Sequence, residues 1–171
     1  MSSSGYPFLP AEQWKSTLIT LPDAVFFDLM RSVLGAIRSP YNKQRLMEEL
    51  ASFLSKTDIQ KKIAAYIGEN DHKIIAAIAI LCDPIEDDLI QFFSGELNYA
   101  QVKSILLNLE ERFIIYRVRR DRPRIDAELP ASRRDNHLYL SLNPILDKVL
   151  LPFITDKKHF VSYYKRQSRQ Q

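Results

Sequence analysis

The chain has 171 residues, of which 46% are hydrophobic and 26% are charged, and its formal net charge is +3. This length suits one domain or two small ones with a buried core, and the composition is that of a soluble globular protein. The single cysteine, Cys82, excludes an internal disulfide and a cysteine-rich zinc site; it indicates a reducing compartment and is expected to be buried.

The charge is unevenly distributed along the sequence. Residues 1–116 contain 11 basic and 15 acidic residues, whereas residues 117–171 contain 13 basic and 6 acidic residues. A basic end on an acidic body favours a polyanionic partner at that end. The N-terminus has no secretion signal, and the longest apolar run, residues 74–82, is too short to cross a bilayer. We therefore expect a cytoplasmic protein with no membrane contact.

The first part of the chain is expected to contain a flexible arm, residues 1–10, and a helical unit, residues 11–70. Phe8 and Leu9 in the arm are apolar and could pack against the rest of the protein. The helical unit is either a plain bundle that supports the second half or a degenerate second helix-turn-helix.

Three helices are predicted in this unit. The first opens at residues 22–23, continues through Gly35 and stops before Pro40, because the residue before a proline disfavours helical backbone. Asn42 is a good N-cap for the second helix, and residues 56–58 cap the third. Each helix has apolar residues at intervals of three and four, as a packed helix requires.

A second unit is predicted over residues 71–155, after a turn at residues 68–71. An apolar helix covers residues 72–82, a short helix covers residues 86–93, and a longer helix covers residues 98–112. The longer helix starts with an asparagine, which is a favourable N-cap.

A β-hairpin and a final helix complete this unit. The strands are predicted over residues 114–120 and 137–142, with a long loop over residues 121–136. The final helix covers residues 143–155, starts with an asparagine and a proline, and is expected to break near Pro152. A basic tail follows, residues 156–171.

The longer helix has two distinct faces. Its apolar face is expected to pack on the core and consists of Tyr99, Val102, Leu106, Leu109 and Phe113. Its polar face has side chains that could hydrogen-bond to base edges or phosphates: Gln101, Ser104 and Asn108, with Lys103 to one side. The alternative is an ordinary solvated face, because it lacks arginine and contains Glu111, which would repel phosphates.

The hairpin is rich in arginine. Arginine side chains suit phosphates and also fit a narrow minor groove. Three acidic residues lie among them, so a solvated loop or a loop that binds an acidic protein surface is the alternative. The arginines that could bind nucleic acid are Arg117, Arg119, Arg120, Arg122, Arg124, Arg133 and Arg134.

The tail alternates basic and aromatic residues. Such a segment could contact phosphates without sequence preference or stack on single-stranded bases, and its aromatic residues could instead pack back on the domain. The chain could also be part of a larger protein. The candidate contacts in the tail are Lys157, Lys158, Lys165 and Arg166.

Catalytic patterns are lacking. The three histidines stand apart in sequence, the four glycines form no phosphate-binding loop, and the acidic residues 83–88 are typical of a helix N-terminus. We therefore expect no enzyme activity, no metal, no cofactor and no small-molecule substrate.

The segment 72–142 resembles the winged-helix superfamily. The resemblance is carried by the apolar helix ending at residues 82–83, the short helix DDLIQFF, the start NYAQV of the third helix and the run LLNLEERFIIYRV. In that superfamily the third helix usually enters the major groove of DNA and the wing touches the backbone or the minor groove. The resemblance therefore implies these roles for Gln101, Ser104 and Asn108, and for the hairpin arginines. The loop is long and interrupted by acidic residues, a departure from the pattern that leaves groove insertion open.

Together these features predict a mainly α fold with a small β-hairpin: an N-terminal helical unit, a winged helix-turn-helix domain and a C-terminal helix. The expected function is nucleic-acid binding, with DNA as the partner and the arginine-rich wing on the backbone. The alternative is an interaction module of a larger assembly, in which the basic hairpin binds an acidic partner surface. A homodimer is compatible with either function.

Overall fold

The computed structural model describes residues 7–119 and 138–155. Over these ranges the protein is mainly helical with a small antiparallel hairpin, which confirms the predicted fold class at this level. The first half contains the helices α1 (Ala11–Ile19), α2 (Asp23–Leu34), α3 (Lys43–Leu54) and α4 (Thr57–Ala65). The second half contains α5 (Glu69–Leu81), α6 (Glu86–Phe92), α7 (Tyr99–Glu111), β1 (Ile115–Arg119), β2 (Leu138–Leu142), a 3-10 helix (Pro144–Leu146) and α8 (Asp147–Thr155).

Helix α1 was not predicted from the sequence. It buries Trp14 and Leu18, which lie four residues apart and therefore on one side of the helix. Just before it, Phe8 is buried and forms an isolated parallel bridge with Leu142 of β2. The expectation that Phe8 can pack against the rest of the protein is thus confirmed.

Helix α2 ends earlier than predicted. Gly35 follows its last residue with a φ of 77°, a conformation that glycine adopts without strain and that ends an α-helix. The prediction that this helix continues through Gly35 and stops before Ser39-Pro40 was therefore wrong. The predicted cap of the next helix is confirmed, because the Asn42 side chain accepts a hydrogen bond of 3.0 Å from the backbone N–H of Arg45.

Helix α5 begins where a turn was expected. Gly68 is its N-cap, and the Asp71 carboxylate accepts a hydrogen bond of 3.0 Å from the Gly68 N–H, so acidic residues satisfy this helix end. At the other end, Cys82 has a φ of 51° and is exposed to solvent. The prediction of a buried cysteine was wrong because the chain turns out of the helix at this residue.

The last helix continues through its proline, contrary to the predicted break. Pro152 lies inside α8, which packs against α4 and α5. These tertiary contacts outweigh the backbone hydrogen bond that proline removes. The expected start is close to the observed one, since Asn143 accepts a hydrogen bond of 3.0 Å from the Ile145 N–H at the 3-10 helix.

The two halves share one hydrophobic core. Helix α1 packs against α3 and also against β1 and the 3-10 helix, while α4 packs against α8. Buried side chains from both halves belong to the same cluster, among them Trp14, Phe26, Leu46, Leu106 and Leu140. The hairpin, which belongs to the second half of the chain, is therefore also packed against α1 of the first half.

The hairpin has a defined register. Ile115 pairs with Leu142 and Arg119 pairs with Leu138. On the other edge of β2, the Leu140 N–H donates a hydrogen bond of 2.8 Å to the carbonyl of Pro84, in the connection between α5 and α6. This bond fixes the hairpin relative to the helices that precede it.

Candidate nucleic-acid interface

Helix α7, the predicted recognition helix, begins with a reciprocal capping box. The Asn98 side chain accepts a hydrogen bond of 2.9 Å from the Gln101 N–H, and the Gln101 side chain accepts one of 2.9 Å from the Asn98 N–H. These bonds satisfy two backbone groups that the helix itself leaves unpaired. The Gln101 side-chain oxygen, predicted to read a base, thus has a structural role in the free protein.

A change at Gln101 tests this role. Replacing Gln101 with alanine should lower the free energy of unfolding by about 0.5–1.5 kcal/mol, because it removes one half of the capping box. Urea denaturation followed by circular dichroism measures the effect, and Ser104→Ala, on the same exposed side of α7, is the control. A stability equal to that of the control variant would show that the cap contributes nothing.

The two faces of α7 are mostly as predicted. Val102, Leu106 and Leu109 are buried, whereas Ser104 and Asn108 are exposed. Tyr99 was predicted to face the core and is instead 56% exposed. It is the first residue of the helix, and its ring packs against Lys103 at the surface, with the ammonium 5.0 Å from the ring centre.

Arg117 on β1 is held by two carboxylates from two different helices. Its Nε lies 2.8 Å from Glu110 on α7, and its Nη2 lies 3.0 Å from Glu86 on α6. We call Glu86, Glu110 and Arg117 the hairpin clamp. All three side chains are about one quarter exposed, so the ion pairs are partly shielded from water.

The electrostatics of the clamp favour a fully charged arginine. Burial alone would lower the pKa of Arg117, but the hydrogen bond and charge of Glu110, followed by those of Glu86, raise it above its ordinary value. The charge of Arg117 is thus matched inside the protein. It ties β1 to α6 and α7 rather than pointing freely at a ligand.

Lys103 joins the same group of charges. Its ammonium lies 3.3 Å from Glu86, and its side chain is 45% exposed. A hydrogen bond with Tyr99, and then the hydrogen bond and charge of Glu86, raise the pKa of Lys103. Unlike Arg117, it lies at the surface, where a lysine can exchange one anionic partner for another at low cost.

Of the remaining predicted contacts, Arg119 alone lies within the described residues. Arg119 is exposed and is the last described residue of β1. The loop between the described strands, residues 120–137, contains five arginines and four acidic residues in the sequence. Outside the described residues lie Arg120, Arg122, Arg124, Arg133, Arg134, Lys157, Lys158, Lys165 and Arg166.

The stretch of chain that contains α6 and α7 is acidic. Residues 82–111 contain seven acidic residues and one basic residue, Lys103. The acidic residues 83–88 and Glu111 were recognised separately from the sequence, but their combined charge was not. A polyanion approaching these two helices meets unfavourable charge.

Other kinds of site find no support in the part of the chain that the structure describes. No group of three potential ligands for a metal ion occurs there. His72 is half-buried, with its Nε2 2.6 Å from the carbonyl oxygen of Phe153. None of the described helices is long and apolar enough to span a bilayer.

Fold and site together define a mainly helical protein whose hairpin is tied to α6 and α7 by Arg117 and exposes Arg119 where the described part of β1 ends. The family model TP_0021_N, described as an N-terminal domain, matches residues 1–55, which include α1, α2 and α3. Neither the curated proteins nor the solved structures give a significant match to the chain.

Proposed function

We propose that residues 69–142 form a winged helix-turn-helix domain that binds nucleic acid, with DNA as the ligand, by gripping the phosphate backbone. The order of α5, α6, α7, β1 and β2 supports this arrangement. The hydrogen bond from Leu140 to Pro84 supports it further, because it joins the hairpin to the connection between the first two helices of the domain.

The observation that carries the proposal is the anchored hairpin. Its base is fixed by strand pairing and by the hairpin clamp, and Arg119 is exposed where the described part of β1 ends. Arg120, Arg122 and Arg124 follow directly in the sequence. A rigid base that presents several arginines suits phosphate binding, because each arginine can donate two parallel hydrogen bonds to a phosphate.

Backbone contact fits this chain better than base reading by α7. The side chain of Gln101 caps the helix, Lys103 is paired with Glu86, and residues 82–111 contain seven acidic residues and one basic residue. Ser104 and Asn108 remain exposed and can add hydrogen bonds at the edge of the contact. The proposed ligand is therefore bound without strong sequence preference.

A salt titration of DNA affinity tests the proposal. Replacing Arg119, Arg120, Arg122 and Arg124 with alanine should weaken binding to random duplex DNA. It should also flatten the slope of log K against log salt by about 0.9 for each lost phosphate contact. Fluorescence anisotropy measures both quantities.

The matched control removes four exposed cations from the first half of the chain, by alanine substitution of Arg38, Lys56, Lys61 and Lys62. This control should leave the slope nearly unchanged. Equal effects of the two variants would show that binding depends only on the overall charge of the chain and not on the hairpin. An unchanged slope in the hairpin variant would contradict the proposal.

The second candidate is an interaction module whose arginine hairpin binds an acidic protein surface. The exposed side chains of Tyr99 and Leu107 favour it, since aromatic and apolar side chains are enriched at the core of protein interfaces. It predicts no measurable duplex or single-stranded DNA binding at physiological salt. The same titration therefore separates the two candidates.

A further inference from the structure

One side of α7 combines apolar exposure with negative charge. Tyr99, Lys103, Leu107 and Glu111 follow each other at intervals of four residues, so they lie along one side of the helix. Tyr99 is 56% exposed and Leu107 is 58% exposed, and Glu111 is exposed at the end of the row.

The start of α6 lies beside this row, because Glu86 pairs with Lys103 at 3.3 Å. Asp87 follows Glu86 in the same turn and is exposed. We call the four residues of the row, together with Glu86 and Asp87, the acidic face. Glu86 is already shared by Lys103 and Arg117, which leaves the exposed carboxylates Asp87 and Glu111 for an occupant. An occupant that complements this face is therefore basic and carries apolar side chains for Tyr99 and Leu107.

The C-terminal segment of the same chain has this composition. Residues 156–171 contain five basic residues and one acidic residue, and their aromatic residues are Phe160, Tyr163 and Tyr164. The net charge of this segment is +4, whereas residues 1–155 contain 19 basic and 20 acidic residues and have a net charge of −1. Charge complementarity thus singles out a partner that is already attached.

The C-terminal segment also starts close to the acidic face. At the end of α8, the carbonyl of Phe153 lies 2.6 Å from His72, and the neighbouring Asp71 pairs at 2.9 Å with Arg112, directly after α7. The last turn of α8 is therefore close to the end of α7 that bears Glu111. Sixteen extended residues reach roughly 50 Å, whereas α7 is only about 20 Å long.

We propose that residues 156–171 bind the acidic face of their own chain. Attachment places the segment at an effective concentration of about millimolar, so weak contacts suffice to hold it. The bound segment covers Tyr99 and Leu107 and brings its basic residues close to the carboxylates. The proposal does not depend on nucleic-acid binding, although a polyanion would compete with the acidic face for the same basic segment.

A distance measurement within the full chain tests this docking. Cys82 is the only cysteine and is exposed, so a spin label can be placed on it and a second one on Ser168→Cys. Pulsed electron paramagnetic resonance at low salt should give a narrow distribution of short distances. High salt should broaden it, because screening weakens exposed charge pairs.

Two variants probe the two partners separately. The pair Asp87→Asn and Glu111→Gln should reduce the ratio of docked to undocked chains by about five-fold, the effect of two ordinary surface charge pairs. Replacing Lys157, Lys158, Lys165 and Arg166 with glutamine should act at least as strongly, and it leaves the residues of the acidic face unchanged. The matched control is Asp28→Asn with Glu49→Gln, which removes two exposed carboxylates from α2 and α3.

The outcomes are distinct. A narrow distribution that broadens in both test variants but not in the control supports the proposal. A distribution that is equally broad at low and high salt overturns it. Distances that appear only at high protein concentration also overturn it, since they would place the segment on a second copy. The proposed function is unaffected by either failure, because no nucleic acid is present.

Discussion

Replacing Trp14 with alanine is expected to lower the free energy of unfolding by about 3–5 kcal/mol, the range found for large aromatic residues in protein cores. Trp14 is 1% exposed, and its helix packs against α3, β1 and the 3-10 helix. The substitution leaves a cavity where the two halves of the protein meet. Chemical denaturation followed by circular dichroism measures the loss.

Ser16→Ala, at an exposed position of the same helix, is the control and should change the stability by less than about 0.5 kcal/mol. Trp14→Phe should fall between the two variants, because it keeps an aromatic ring in part of the volume. A loss below about 1 kcal/mol for Trp14→Ala would mean that α1 is held only loosely.

The same variant reveals whether the halves unfold together. If they share one core, amide hydrogen exchange in β1 and β2 should accelerate together with exchange in α1 and α3, since one transition exposes all of them. Faster exchange confined to α1, α2 and α3 would indicate that residues 1–55, the part matched by the family model, unfold independently.

Features that depend on neighbouring residues were predictable from the sequence. The α7 helix follows from its apolar spacing and from Asn98, which forms the expected cap. The two strands follow from apolar and β-branched runs that flank a loop. Each of these sequence patterns extends over no more than about fifteen residues. At that length, the backbone preferences of the residues and the burial of one face are enough to determine a helix or a strand.

Helix α1 shows where local signals are too weak. Its buried residues are only Trp14 and Leu18, and its N-cap, Pro10, has no side chain that can accept a hydrogen bond. The helix exists because Trp14 fills a site that the rest of the fold creates. Propensity alone cannot reveal such a site, because tertiary packing overrides it.

The candidate site shows a second limit. Arg117 looks like its neighbours Arg119 and Arg120 in the sequence, yet one of its partners, Glu86, is 31 residues away. A count of basic residues therefore overestimates the charge that the hairpin offers to a ligand. Only the folded chain distinguishes a matched arginine from an exposed one.

This distinction leads to the second large effect. Arg117→Met is expected to lower the free energy of unfolding by about 2–3 kcal/mol, because it leaves Glu86 and Glu110 close together without their shared cation. The value is below that for a fully buried pair because the side chains are about one quarter exposed. Arg119→Met on the same strand should cost less than about 0.5 kcal/mol.

A double-mutant cycle isolates the clamp. Adding Glu110→Gln to Arg117→Met should cost less than Glu110→Gln alone costs in the wild-type chain, because Glu110 has then already lost its partner. Additive effects would argue against the ion pair.

For DNA binding, the proposed function predicts that the two arginines exchange their importance. In the salt titration, Arg119→Met should reduce the slope by about 0.9, whereas Arg117→Met should leave it nearly unchanged. Stability and salt dependence together therefore separate the arginine that holds the hairpin from the arginine that is exposed for a ligand.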